Sequence, residues 1–199
     1  MAERICNEYN TSVINVLTGF KYIGEQIGYL EKSGQVDRFL LGFEESCGYL
    51  IGTQVRDKDS LVAGLMICKI AAEAKTNGLD LYDLIQSIYD QYGKITNCLL
   101  TYEFAGASGK KDIDYIMSRF RKNGIKKILN KKVVKYVDYL YNNESELPKS
   151  DVLYFDLGNH ETVIIRPSGT EPILKIYLSL QKDMEGVKKY FDNMFNSAM

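Results

Sequence analysis

Residues 173–179 read ILKIYLS, and this stretch decides the fold class of the second half of the chain. Apolar side chains stand at positions 174, 176 and 178, and Lys, Tyr and Ser stand at positions 175, 177 and 179. Successive side chains of a β-strand point to opposite faces of the sheet. The alternation therefore predicts a strand with one face in a hydrophobic core.

The segments around this strand indicate a sheet flanked by helices. Apolar spacing predicts a short helix around 113–120 and a last helix over about 182–197. Further extended segments are expected at 95–104, 132–140, 152–157 and 161–166. Clustered strands with helices beside them predict an α+β domain with an antiparallel sheet, which we place at residues 95–199.

The first half, residues 1–94, instead alternates helix and strand. Helices are predicted at 3–9, 20–32, 59–76 and 81–92, extended segments at 12–17 and 38–43, and a turn-like stretch over 44–59. This order indicates an α/β domain with parallel strands. The helix that begins near Asp59 is apolar at nearly every position from 61 to 74, so we expect it to be buried on more than one side.

The composition excludes several functional classes. Lys and Arg number 25 against 26 Asp and Glu, which argues against a protein dedicated to nucleic acids or membrane surfaces. The four cysteines lack metal-ligand spacing and indicate reduced cytosolic thiols, and the single histidine, His160, excludes a histidine-rich metal site. The N-terminus is polar and no apolar stretch reaches the length of a membrane span, so we expect a cytoplasmic protein.

One basic stretch needs a separate interpretation. Residues 119–135 contain eight Lys or Arg and no acid, a pattern that nucleic-acid patches also show. Aromatic residues are few here, with only Phe120 and Tyr136 at its borders, and the whole chain is slightly acidic. We therefore predict a solvated face that adds positive potential near a phosphate site, and no nucleic-acid or membrane partner.

Residues 166–172, RPSGTEP, lie between two predicted strands and contain two of the three prolines of the chain. Arg166 offers a planar fork for phosphate oxygens, and Ser168 and Thr170 add hydroxyl donors. Gly169 permits backbone angles that direct consecutive N–H groups into one concavity. A rigid hairpin loop is the alternative interpretation, and we favour a phosphate cradle.

Residues 42–48, GFEESCG, come at the carboxyl end of the predicted strand, where open α/β sheets bind their ligands. Two carboxylates and a hydroxyl within three residues suit the recognition of neighbouring sugar hydroxyls. A carboxylate can accept from two hydroxyls, and a serine can donate or accept. In the alternative interpretation, Glu44 or Glu45 caps the following helix or is simply solvated.

These two motifs resemble those of the α-D-phosphohexomutases. GFEESCG is similar to the sugar-recognition loop of that family, and RPSGTEP to its C-terminal phosphate loop. Two further matches, LTGFKYI at 17–23 and RDKD at 56–59, keep the family's order along the chain. The variants most resemble the bacterial phosphoglucomutase branch, which includes phosphopentomutase-like vertebrate enzymes. The resemblance implies a partial α/β/α domain (domain three) followed by a TATA-box-binding-protein-like α+β domain (domain four).

The resemblance also implies an activity and a set of site residues. Members of the family interconvert hexose 1-phosphate and hexose 6-phosphate, passing a phosphoryl group from a phosphoserine through an intermediate of the glucose 1,6-bisphosphate type, with Mg²⁺ as cofactor. Lys58 matches a lysine near the transferring group and is an accessory catalytic candidate. The other matched residues are Thr18, Gly19, Glu44 and Ser46 for the sugar, and Arg166, Ser168, Gly169 and Thr170 for the distal phosphate.

The sequence lacks a match to the family's phosphoserine loop and to its Asp-rich Mg²⁺ loop. Its two DxD pairs, at 57–59 and 112–114, each begin a predicted helix, where the helix dipole favours acids, so we expect no metal ligand. We interpret the chain as the C-terminal part of a phosphoglucomutase/phosphomannomutase, truncated within domain three, inactive alone and partnered by the missing N-terminal domains. A stand-alone, non-enzymatic phosphosugar-binding module is the alternative.

Overall fold

The computed structural model describes residues 1–44, 48–104, 106, 108–142 and 147–196, without the side chain at 196. The chain divides into two compact units, Ala2–Tyr92 and Gly93–Met199. Among the described helices, none is long and apolar enough to cross a membrane.

The first unit consists of helices around a two-stranded ribbon. The strands pair antiparallel, with Phe43 opposite Tyr49 and Glu44 opposite Gly48. A single 3₁₀ turn, Val36–Arg38, leads into the ribbon. In chain order the elements are helix α1 (Ala2–Glu8), helix α2 (Phe20–Lys32), strand β1 (Leu41–Glu44), strand β2 (Gly48–Ile51), helix α3 (Ser60–Thr76) and helix α4 (Leu81–Tyr92).

The core of this unit is small and centres on α2. Phe20, Ile23 and Ile27 are buried, and their spacing places them on one face of the helix. They pack with Leu50 of β2, while Val16, Val36 and Phe39 cover the cluster from its edge. The amphipathic pattern that predicted a helix at 20–32 is thus the pattern that builds the core.

Two predictions for the first unit differ from the structure. Residues 12–17 form no strand: within the described chain their backbone groups find no hydrogen-bonding partner, and a strand needs a neighbour for its N–H and C=O groups. The described strands are antiparallel, not parallel, because the stretch predicted as turn-like contains β2, which folds back on β1. A short connection joins antiparallel neighbours, whereas parallel strands need a long crossover.

The predicted burial of the long apolar helix is wrong for the described part of this unit. Only Ala74 of α3 is buried, and Leu61 and Leu65 remain 83% and 70% exposed. The helix packs on β2 and α4, which cover a limited part of its surface. Its sequence is apolar around the whole circumference, so two neighbours leave much of that surface exposed.

The second unit is a five-stranded antiparallel sheet with two long helices. The strand order is β3-β9-β8-β7-β6, and a separate two-stranded hairpin, β4-β5, lies outside this sheet. The elements are β3 (Thr96–Glu103), α5 (Gly109–Asn123), β4 (Lys127–Ile128), β5 (Lys131–Lys132), β6 (Lys135–Asp138), β7 (Leu153–Asp156), β8 (Thr162–Pro167), β9 (Ile173–Leu180) and α6 (Met184–Asn196).

The alternation at 173–179 is confirmed in β9. Leu174, Ile176 and Leu178 are buried and belong to one hydrophobic core, whereas the residues between them are only partly buried. Val163 and Ile165 of the neighbouring strand β8 join the same core. The face is covered by helices, from which the core takes Ile113, Met117 and Phe120 of α5 and Val187, Phe191 and Phe195 of α6.

The segment predicted as one strand at 132–140 is interrupted in the structure. Ile128 pairs with Lys131 in the β4-β5 hairpin, and the two residues between them form its turn, with Leu129 at a φ of 52°. The chain then re-enters the main sheet as β6, an edge strand paired only with β7. The break within 132–140 lies at Val133 and Val134, which belong to neither β5 nor β6, and the strand-like composition does not reveal it.

Candidate functional site

The structure brings together three residues that the sequence placed in three separate motifs. Glu44, at the end of β1, accepts a hydrogen bond on Oε1 from the backbone N–H of Gly19 at 3.1 Å. Its other oxygen, Oε2, accepts from Nζ of Lys58 at 3.1 Å. The Glu44 side chain is only 10% exposed, whereas that of Lys58 is 52% exposed. A nearly buried carboxylate thus lies beside a cation that is accessible from solvent.

The backbone conformation at position 19 requires a glycine. Its φ of 127° lies in a region that only glycine adopts readily, and it forms the N-cap of α2 without a side-chain cap. The carboxylate of Glu44 therefore lies at the amino end of α2, where the helix dipole favours a negative charge. Thr18 precedes this glycine and is exposed. The assignment of Thr18 and Gly19 to a sugar pocket stays a prediction.

Two residues whose role the sequence did not reveal complete this cluster. Gly48 is buried opposite Glu44, and a Cβ there would lie 2.9 Å from Oε2 of Glu44 and 3.4 Å from Cδ of Lys58. Nζ of Lys58 also lies 5.7 Å from the ring centroid of Phe20, within cation–π range. Both residues belong to the quoted motifs, but nothing in their chemistry indicated a role.

The remainder of the sugar loop lies outside the described residues. Glu45, Ser46 and Cys47 fall in that gap, so the predicted contact of Ser46 with the sugar stays a prediction.

The acids before α3, Asp57 and Asp59, accept hydrogen bonds from backbone N–H groups. Asp59 caps the helix, with Oδ1 accepting from the N–H groups of Leu61 at 2.9 Å and Val62 at 3.2 Å. Asp57 accepts from the N–H of Lys58 at 2.8 Å. In the residues that the structure describes, no group of three or more His, Cys, Asp or Glu side chains could hold a metal ion.

The predicted phosphate loop connects β8 to β9 in the second unit. Its base is closed by the N–H of Ser168, which donates to the carbonyl of Ile173 at 2.7 Å. Gly169 and Thr170 are exposed at its tip, while Arg166 and Ser168 are partly buried. Gly169 has no positive φ, and a Cβ there would meet no atom within 4 Å. The expectation that this glycine supplies a special backbone angle is therefore wrong.

Arg166 has an unexpected neighbour. In the β8-β9 register it stands directly opposite Lys175, and the two cations share the sheet face that points away from the helices. Lys175 belongs to the alternating stretch quoted at the outset, where it counted only as a polar position. Only the pairing register shows that it faces Arg166.

The hairpin end of the basic stretch at 119–135 lies away from the phosphate loop, contrary to expectation. Arg121, by contrast, pairs with Asp138, which is in register with Leu153 and through it with Ile165, next to Arg166. Lys131 of the hairpin pairs with Glu161, which precedes the first residue of β8, whereas the loop follows the last residue of that strand. A strand of six residues is about 20 Å long, more than twice the screening length of about 8 Å at physiological ionic strength. Two charges of the stretch are also compensated, since Arg121 pairs with Asp138 and Asp151 and Lys131 with Glu161.

Comparison with known proteins identifies a matching family model and several similar proteins. A model of the phosphoglucomutase/phosphomannomutase alpha/beta/alpha domain III matches residues 1–92. A phosphoglucomutase of Staphylococcus epidermidis is 36% identical over 211 residues, covering 99% of this chain and 38% of the relative. One of Staphylococcus saprophyticus is 33% identical, covering 100% of this chain and 38% of the relative. The chain thus spans a little over a third of the length of these relatives.

A solved structure shows the same fold. The Paramecium exocytosis-sensitive phosphoprotein pp63/parafusin, described as a phosphoglucomutase in its open form, aligns with a TM-score of 0.65 at 20% identity. The alignment covers 98% of this chain and 34% of that chain. An α/β/α domain followed by an antiparallel sheet with helices is the class that the fold defines, as the sequence predicted. Together, the domain III match and the similarity of the whole chain to phosphoglucomutases support the C-terminal part of the phosphoglucomutase/phosphomannomutase family.

Proposed function

We propose that the chain is the substrate-binding part of a phosphoglucomutase/phosphomannomutase that interconverts hexose 1-phosphate and hexose 6-phosphate through a bisphosphate intermediate. The observation that carries the proposal is the meeting of Gly19, Glu44 and Lys58, from three motifs, around one nearly buried carboxylate. Relatives that match the chain over nearly its whole length are named phosphoglucomutases. The boundary of the two domains is proposed at residues 94 and 95.

In this proposal Glu44 recognises the sugar. Each oxygen of an ionised carboxylate has two lone pairs, and in the structure each accepts one described hydrogen bond, so capacity remains for two sugar hydroxyls. The bonds from Gly19 and Lys58 fix the carboxylate in place before the ligand arrives, which lowers the entropic cost of binding. Thr18 and Ser46 complete the set of sugar-binding residues.

Lys58 is the accessory catalytic residue of the proposal. Its ammonium group is exposed on one side and held on the other by Glu44 and the Phe20 ring. In that position it would offer a positive charge to a transferring phosphoryl group, whose reaction depends mainly on positioning and charge stabilisation.

The second unit would hold the phosphate that does not react. Arg166 supplies a bidentate donor, Ser168 and Thr170 supply hydroxyls, and Gly169 leaves the tip of the loop open to a close approach by phosphate oxygens. Mg²⁺, the phosphoserine and the bisphosphate belong to the parent enzyme, and the residues that hold the metal and the reactive phosphate lie outside this chain. The partners are the phosphosugar and the remaining domains of the parent, and the compartment is the cytoplasm.

Calorimetric titration of the 199-residue chain with glucose 1-phosphate and with inorganic phosphate tests the proposal. We expect the sugar phosphate to bind more tightly, and Glu44→Gln to remove that advantage while leaving phosphate binding unchanged. Arg166→Ala should weaken both ligands by about 1.5–3 kcal/mol, the range for hydrogen bonds to charged groups. Equal binding of the two ligands by the wild-type chain would contradict the assignment of a sugar site. A chain that binds sugar phosphates tightly and is encoded without upstream mutase domains would support the stand-alone binding module.

A further inference from the structure

Lys58 lies in the segment 52–59, which connects β2 to α3 and forms neither helix nor strand. One backbone hydrogen bond ties the end of this segment to β2, from the N–H of Asp59 to the carbonyl of Tyr49 at 2.7 Å. Asp57 accepts from the N–H of Lys58 at 2.8 Å, a contact within the segment. These bonds fix the end that leads into α3, and the rest of the segment depends on other contacts.

The side chain of Arg56 provides such contacts. Its guanidinium group donates to the carbonyls of Thr53 and Val55, the latter at 3.2 Å, and forms an ion pair with Glu31 of α2. A guanidinium group carries several N–H donors in a rigid fork, so one side chain can bind several acceptors at once. Arg56 thus closes the segment on itself and also ties it to α2.

The backbone of Arg56 touches the same helix. A Cβ at Gly24 would lie 2.8 Å from the carbonyl oxygen of Arg56. Because Gly24 and Glu31 are two helical turns apart, they lie on the same face of α2, about 10 Å from each other along the axis. Two contact points on one rigid helix restrict both the position and the orientation of the segment.

Helix α2 therefore contacts both members of the Glu44–Lys58 pair or their supports. The N–H of Gly19, directly before the helix, donates to Oε1 of Glu44, whose Oε2 accepts from Nζ of Lys58. The other end of α2 holds Arg56, two residues before Lys58. The two cations of the motif at 56–59 thus have different partners, one in the candidate site and one on the helix.

We propose that Arg56, held by Glu31, is a positioning residue that keeps the ammonium group of Lys58 beside Glu44. The inference rests on the proposed function for the catalytic use of Lys58, but the placement of Lys58 is measurable without a ligand. The pair adds little to stability, since the Arg56 and Glu31 side chains are 40% and 46% exposed. Its effect is geometric, and a displacement of about 1 Å near a reacting group can cost about 100-fold in rate.

The rate at which a small acylating reagent labels Nζ of Lys58, followed by mass spectrometry on the whole 199-residue chain, tests the placement. Glu44→Gln gives the rate of an unpaired Lys58, which should exceed the wild-type rate because the bond to Glu44 must break before the nitrogen reacts. Glu31→Gln and Arg56→Gln should each raise the rate toward that value by about two- to five-fold, the size expected of a weak ion pair.

Three comparisons separate positioning from a general effect. In the Glu44→Gln background, Glu31→Gln should add almost nothing, because both changes act on the same contact. Glu31→Asp keeps the carboxylate and should stay near the wild-type rate. Glu25→Gln is the matched control on the same helix, since the exposed Glu25 carboxylate accepts from the hydroxyl of Tyr29 at 3.0 Å. A residue that only stabilises the fold would shift the urea midpoint and leave the Lys58 rate under native conditions unchanged.

Each outcome bears on the inference or on the proposed function separately. Wild-type rates in Glu31→Gln and Arg56→Gln would overturn the inference, and so would a wild-type rate in Glu44→Gln, because Lys58 would then not be held by that carboxylate. An equal rise in the Glu25→Gln control would overturn it as a general charge effect. If the rates change as expected but glucose 1-phosphate binds no more tightly than inorganic phosphate, the inference about placement holds and the sugar part of the proposed function fails.

Discussion

A Cβ at Gly24 would lie 2.8 Å from the carbonyl oxygen of Arg56, so helix α2 and the segment before α3 touch at a glycine. This contact matters for the candidate site because the segment that contains Arg56 also carries Lys58. The guanidinium of Arg56 holds the segment further, through Glu31 of α2 and the carbonyl of Thr53. The position of Lys58 against Glu44 thus depends on a close backbone approach.

Gly24→Ala is expected to destabilise the first unit by about 1–3 kcal/mol, the usual range for overpacking. The added methyl group would meet a backbone atom, which cannot move aside as a flexible side chain can. Urea unfolding followed by circular dichroism measures the change. Gly28→Ala is the matched control in the same helix, because a Cβ there meets nothing within 4 Å. Alanine favours helix by about 1 kcal/mol over glycine, so the control should be neutral or stabilising. A Gly24→Ala variant as stable as the Gly28→Ala variant would show that the contact is unimportant.

Gly48→Ala should change ligand binding more than stability. The Cβ would lie 2.9 Å from Oε2 of Glu44, an atom at the end of a side chain that can rotate away. We therefore expect weaker binding of glucose 1-phosphate with unchanged binding of inorganic phosphate, both by calorimetry. Gly64→Ala, in α3 with open space around the Cβ, is the control and should bind both ligands as the wild type does. Unchanged sugar-phosphate affinity in Gly48→Ala would argue against the role of Glu44.

The ion pair of Glu161 predicts a pH dependence of stability. Burial alone would raise the pKa of the Glu161 carboxyl, but hydrogen bonds from Lys131 and from the backbone N–H of Gln181, with the charge of Lys131, lower it overall. A lowered pKa in the folded state contributes stability above the unfolded pKa, and that contribution is lost as the pH falls through the folded pKa. Urea unfolding at pH 7 and at pH 4 should therefore show a larger difference for the wild type than for Glu161→Gln.

An exposed pair provides the control for that experiment. Glu185 pairs with Lys188 at 2.7 Å, but its side chain is 77% exposed, and exposed pairs contribute little to stability. Glu185→Gln should leave the pH dependence close to that of the wild type. If Glu161→Gln also retains the full wild-type difference, the buried pair is not its source.

The purified 199-residue chain is expected to show no turnover of glucose 1-phosphate. Its sequence lacks a match to the family's phosphoserine loop and to its Asp-rich metal loop, and we propose that the groups that transfer the phosphoryl belong to the rest of the parent enzyme. A coupled assay for glucose 6-phosphate measures this, with a full-length phosphoglucomutase of Staphylococcus epidermidis as the positive control. Turnover by the isolated chain above the buffer blank would refute the prediction.

Local patterns predicted the elements that depend on local physics. The alternation in β9 and the amphipathic spacing of α2 both appear in the structure as predicted, because each pattern directly sets which side chains share a face. The burial of α3 and the strand at 12–17 could not be predicted in this way. Both depend on whether a distant part of the chain supplies a neighbour, which composition does not reveal.

In the candidate site too, the sequence indicated some features and only the tertiary structure shows the others. The motifs at 17–23, 42–48 and 56–59 drew attention to Gly19, Glu44 and Lys58, and the structure joins these residues through two hydrogen bonds of 3.1 Å. The sequence did not reveal the importance of Gly48 and Gly24. A glycine that is required because a neighbouring atom lies too close for a Cβ cannot be distinguished in the sequence from any other glycine. The sequence showed the basic stretch, but not which of its residues lie near the phosphate loop.

The sequence by itself determined the class of each half, the motifs of the site and the resemblance to a family, since residue type and spacing carry that information. The tertiary structure alone decided which residues meet. Strand register places Lys175 opposite Arg166, and the approach of α2 to the segment before α3 places Arg56 against Gly24. Both relationships join residues that are distant or unremarkable in the sequence, because contacts across strands and between elements form only when the chain folds back on itself.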